Sequence, residues 1–281
     1  VADHITAPAD PRHSRIGALR MLRVMLSARL RSQVVYRGSF AGDLLAQALL
    51  SVTEFVEVYV LLHNAPVFGG MTLVQACVVY GLSSMAFGLA DMVFGQLDTV
   101  NVAIRTGQLE TLLVRPVPLL LQLITADVQL RRLGRVSTGL LIYVWSLCYA
   151  QVPLDGAGLA LIVSAPLAGM LIFGALFVAA GSLQFWLIDG AQAGNTITYG
   201  GRYVASMPAG ALLLPVRVFF TFVVPATLVA YVPAAVLTGA ELVWPFQPAM
   251  AWLGLPVAVL LWAVVGLLWR AGVRRYTGAG G

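Results

Sequence analysis

Six stretches of this chain run for about 20 residues with hardly a charge inside them, at about 41–62, 72–96, 136–152, 158–187, 210–236 and 249–269. That length is the strongest constraint in the sequence. A helix rises 1.5 Å per residue, so roughly 20 apolar residues cross a hydrocarbon core about 30 Å thick. Only 17 basic and 12 acidic residues serve 281 positions, and mean hydropathy is +0.87. A soluble domain keeps about a quarter of its residues charged. The pattern excludes a cytosolic or secreted enzyme and predicts an all-α polytopic membrane protein with six transmembrane helices.

Every basic residue is an arginine, because the chain has no lysine. A P-loop ATPase, a Schiff-base enzyme and a lysine-dependent kinase each need an amine at a fixed point, so none fits. The expectation is a chain with no catalytic residues and no cofactor of its own. No metal site is expected either: His4, His13 and His63 form no ligand cluster, and Cys77 and Cys148 read as packing residues. If the N-terminus is inside, all 17 arginines fall on inner segments, with Arg202 and Arg217 assigned to the connection between the fourth and fifth spans. The positive-inside rule then places both termini in the cytoplasm, and the expected location is the inner (cytoplasmic) membrane. The basic balance meets anionic lipid headgroups and calls for no nucleic acid.

Residues 1–15 are polar and read as a disordered tail without a secretory leader. Over 16–37 a stripe of Ile16, Leu19, Leu22, Leu26, Leu30 and Val34 is edged by arginines. That pattern predicts an interfacial amphipathic helix, lying on the membrane or packed on a partner. Residues 38–276 form the six-span domain, and 277–281 a flexible Gly-rich tail. Within it, the polar segment 97–135 reads as a short helix, an interruption at Gly107, then a helix through Leu109, Leu112 and Leu113 stopped by Pro116. Such an element either contacts a cytoplasmic partner or caps the bundle.

Glu54 and Glu57 stand three residues apart, on one face of the first span. With every arginine expected inside, no cation reaches them at that depth. They would be protonated, hydrogen-bonded to another span, or open to a watery cavity, since a bare carboxylate in hydrocarbon costs at least about 2.5–3.5 kcal/mol. The cavity alternative favours substrates with a positive or polar head. Pro215, Pro225 and Pro233 predict a kinked fifth span, serving as a gate or as packing.

The run IRTGQLETLLVRPVPLLLQL (104–123) resembles the cytoplasmic loop of permeases from type 2 ABC exporters, in the viologen and multidrug exporter-like subgroup. YRGSF (36–40), YGLSSMAFGLAD (80–91), FFTFVVPATLVAYVPAAVL (219–237) and WRAGVRRY (269–276) share the likeness. The resemblance implies a half-transporter that pairs with a second permease, identical or homologous, and with two ABC ATPase subunits that bind ATP and Mg. It makes the 97–135 loop the coupling element, with Asp98, Arg105, Leu109, Glu110, Leu112, Leu113 and Arg115 as the contact residues. Glu54, Glu57 and Pro225 would line the substrate path, and outer helices near 241–248 would be abbreviated. The expected function is outward movement of amphiphilic, drug-like or lipid-like molecules. The alternatives are an integral-membrane lipid-modifying enzyme, which would want a His/Asp/Glu cluster, and a membrane assembly factor.

Overall fold

The computed structural model describes residues 37–64, 67–126, 128–187 and 190–276, together with Ser27 and Arg31. The amphipathic helix expected over 16–37 and both tails lie outside the described residues, except for those two positions and Arg37. Eleven α-helices follow one another among the described residues, with no strand between them. They are α1 (Arg37–Asn64), α2 (Leu73–Phe94), α3 (Val100–Arg105), α4 (Gln108–Leu113), α5 (Leu119–Ala126), α6 (Leu133–Tyr149), α7 (Gly156–Leu183), α8 (Gly190–Ala205), α9 (Leu214–Phe222), α10 (Tyr231–Thr238) and α11 (Gly254–Arg275).

Local chemistry sets several of these boundaries. Thr72 and Gln75 form a reciprocal capping box that starts α2. The Asp155 carboxylate accepts from the Gly158 amide at 2.7 Å and starts α7. Between α3 and α4, Gly107 takes a φ of 69°, the left-handed conformation that lets the chain turn within two residues.

The core is built on α2 and α7, which are buried along most of their length. Helix α2 packs most extensively against α6, and also against α7, while α11 and α8 lie on α7 and α1 lies on α6. Without water to drive helices together, close backbone approach holds such a bundle. A Cβ on Gly81 of α2 would sit 2.5 Å from the Tyr143 amide nitrogen, and one on Gly139 of α6 would sit 2.6 Å from that of Met85.

Three described segments are long and apolar enough to cross a membrane: Leu73–Arg105, Gly156–Leu183 and Pro248–Arg275. Helix α1 equals α7 in length at 28 residues but carries Asp43, Glu54 and Glu57, while α6 and α8 have 17 and 16 residues.

The fifth apolar stretch departs from expectation. Residues 210–236 form no single kinked span. They break into α9 and α10, and Pro225 is a buried residue of the turn between them. Pro215 sits at the start of α9 and Pro233 in the first turn of α10, positions where a missing N–H disturbs no helical bond. Six residues of α10 are buried, against α2, α7 and the 3₁₀ turn Pro248–Leu253. Residues 241–247, within the region expected to hold abbreviated outer helices, form no helix. The helix that packs most extensively on α7 in this part of the chain is instead α8, in a stretch expected to be a connection.

The arginine layout changes with it. Arg217 donates to the carbonyls of Ala209 (2.9 Å), Leu212 (3.0 Å) and Trp244 (2.9 Å). Those carbonyls lie beside the α1–α2 turn, where a Cβ on Gly69 would meet the Ala211 nitrogen at 2.6 Å. Arg217 thus belongs to the end expected to be outer, and Arg202 lies within α8. Cys77 is packed as expected, whereas Cys148 is exposed on α6.

Candidate translocation cavity and coupling loop

Spacing along each helix gathers charge at one place. Tyr199, Arg202, Tyr203 and Ser206 fall at i, i+3, i+4 and i+7, one stripe running off the end of α8. Tyr80, Phe87 and Asp91 share a face of α2, and Arg132 and Arg135 enter from the start of α6. Glu54 of α1 binds Arg202, and its other oxygen lies 3.7 Å from Arg135. Arg135 reaches Asp91 at 4.0 Å, and Asp91 binds Arg132, whose Nη1 also donates to the Asp91 carbonyl at 2.6 Å. The Phe87 ring lies under both inner guanidinia, 5.1 Å from Arg202 and 5.9 Å from Arg135.

This ladder overturns the premise that no cation reaches Glu54. A helix with so many polar residues as α8 reads as a loop by hydropathy, yet it carries its arginine into the bundle. The side chains of Asp91, Arg132 and Arg135 are 6%, 16% and 13% exposed, so charge is retained there by pairing.

Beside the Arg202 end of the ladder lies a cavity of about 330 Å³, lined by Glu54, Glu57, Tyr80, Arg202, Tyr203 and Met207, with Ser206 at its edge. Its floor is fixed by the Tyr80 hydroxyl, which donates to the Ser51 carbonyl at 2.8 Å. Glu57 is exposed and, among the described residues, has no cationic partner. Both glutamates therefore line the cavity, whereas Pro225 is absent from its lining.

At the opposite end of α8's stripe the Tyr199 hydroxyl donates to Asp98 at 3.0 Å, in the 3₁₀ turn Gly95–Thr99 that opens the loop. Gln184 at the end of α7 clamps the same turn. Its amide donates to the Leu97 carbonyl at 3.1 Å and its oxygen accepts from the Asn101 amide at 2.6 Å. The expected contact residues thus divide into two sets. Asp98 faces inward to Tyr199, and Leu109 is fully buried against Leu97, Val100 and Trp269. Leu109 therefore presents no surface to a partner, while Asp98 is half-buried. Arg105, Glu110, Leu113 and Arg115 are exposed, with Val102 and Val114 beside them at 51% and 87%. Leu112 is half-buried and, with Gln108, Thr111 and Arg115, edges a cleft of about 550 Å³. Val102 and Val114 are the loop residues that sequence reasoning passed over.

The described residues form a helical bundle with three segments apolar enough to cross a membrane, a cavity lined by both signs of charge, and a folded loop tied to it. The chain belongs to the ABC-2 family of transporter proteins, whose family description matches residues 48–280. It is a membrane permease of an ABC transporter, a class that works with an ABC ATPase subunit. No curated protein and no solved structure matches the chain.

Proposed function

We propose that the chain is one permease half of an ATP-driven exporter, moving amphiphilic small molecules outward through the cavity beside Arg202. On this reading α1, α2, α6, α7, α8 and α11 are the six spans, both termini are cytoplasmic, and the membrane is the inner one. A second permease, identical or homologous, closes the path, and ATP and Mg reside on the separate ATPase subunits. The observation that carries the reading is the continuity of α8. One stripe of that helix reaches the cavity at Arg202 and the first turn of the loop at Asp98.

The contact with the ATPase is assigned to the exposed rim of α3 and α4, with Val102, Leu113 and Val114 as apolar contacts and Arg105, Glu110 and Arg115 fixing register by charge. The test is Leu113→Asp in the full complex. Leu113 is 43% exposed, so the fold should persist while the ATPase no longer co-purifies and ATP-dependent efflux from inverted vesicles is lost. An intact complex with undiminished transport would remove the loop from the coupling role.

A further inference from the structure

We propose that the cavity receives a zwitterionic head, holding an ammonium group on Glu57 and an anionic oxygen on Arg202, so that the transported amphiphile is a zwitterion; this rests on the exporter reading and narrows it. The Glu54 carboxylate is already shared between Arg202 and Arg135. That leaves Glu57 as the negative pole facing the cavity. Arg202 uses one terminal nitrogen on Glu54, and its other N–H groups meet no acceptor among the described residues. A guanidinium carries five donors in a planar fork, so Arg202 keeps capacity for an oxyanion while holding Glu54.

The two poles disfavour each singly charged head. A bare cation on Glu57 shares the cavity with Arg202. A bare anion on Arg202 faces Glu54 and Glu57. Only a head with both signs meets complementary charge at each end. Glu54 and Glu57 are three residues apart on α1, about 4.5 Å of helical rise. With Arg202 seated on Glu54, that offset suits an ammonium and a phosphate joined by two carbons. Tyr203 in the lining, 63% exposed, is an aromatic side chain of the kind that attracts quaternary ammonium. Met207 gives the cavity an apolar wall for the chain of the amphiphile.

The test uses the complete complex of this permease with its ATPase, in nanodiscs, and three probes with one alkyl chain: hexadecylphosphocholine, hexadecyltrimethylammonium and hexadecyl sulfate. Binding and ATPase stimulation are read separately. The zwitterion should bind about tenfold more tightly than either ion, the worth of one charge-assisted contact. In Glu57→Gln the zwitterion should lose that factor while the sulfate loses nothing. Arg202→Lys keeps the charge on Glu54 but lacks the fork, and should lower zwitterion and sulfate affinity while sparing the ammonium probe. Equal binding of ammonium and zwitterion in the unaltered complex, an unchanged ranking in Glu57→Gln, or no binding of any probe would overturn the head-group assignment. The zwitterion binding in the expected order without stimulating hydrolysis would instead overturn energised export and leave the assignment standing.

Discussion

Glu54 touches two guanidinia from two different helices, and so ties α1 to both α6 and α8. Removing either charge strands the others. Glu54→Gln and Arg202→Gln should each destabilise by roughly 2 kcal/mol. That is below the 3–5 kcal/mol of a fully buried pair, because Glu54 is a third exposed and Arg135 stays in place. The double variant should cost less than the sum by at least about 0.5 kcal/mol, read as melting shifts in detergent. Strict additivity would show that the pair contributes nothing as a pair. The glutamates were legible from sequence because two carboxylates in an apolar run stand out against their neighbours. Arg202 was not. Its partner is 148 positions away, and helical periodicity gives no hint of which distant helix a stripe faces.

At the scale of elements, hydropathy misplaced a helix for a physical reason. It measures how apolar a segment's surroundings must be, and protein serves for that as well as lipid. Helix α10 finds its apolar surroundings among α2 and α7, so it reads as part of a span, while α8 buries polar residues against neighbours and reads as a loop. The loop helices α3 and α4 were legible because Gly107 and Pro116 punctuate them locally. Which of their leucines face inward depends on Trp269 and Val100, and that required the fold. Two predictions belong here. Gly81→Ala should force α2 from α6 and cost about 1–3 kcal/mol, whereas Gly266→Ala, with nothing within 4 Å, should be neutral or slightly stabilising. Equal melting temperatures for the two would remove close packing as the cause. Tyr199→Phe deletes the hydroxyl that joins α8 to Asp98, worth about 1 kcal/mol. The complex should still assemble and hydrolyse ATP, with transport per ATP reduced about fivefold. Hydrolysis and transport falling together would place Tyr199 in assembly instead.

For the whole molecule the first expectation is energetic. The chain has no lysine, so the purified polypeptide freed of its ATPase should hydrolyse no ATP, and activity should return only on adding that subunit back. Turnover by the isolated chain at the rate of the complex would contradict the division of labour. The ladder has a second consequence, and it is mechanical. Along it every carboxylate already stands between two guanidinia: Glu54 between Arg202 and Arg135, Asp91 between Arg135 and Arg132. A lone ion pair inside a bundle acts as a bolt, since any sliding of one helix must pull bare charge into hydrocarbon. A row of shared charges acts as a gear rack. Sliding α6 by one step along α2 would put Arg135 where Arg132 stood, so Asp91 would keep a guanidinium while Arg202 holds Glu54, and only Arg132 would move off the end of the row. A core held this way can be firm against unfolding and yet yield along one direction.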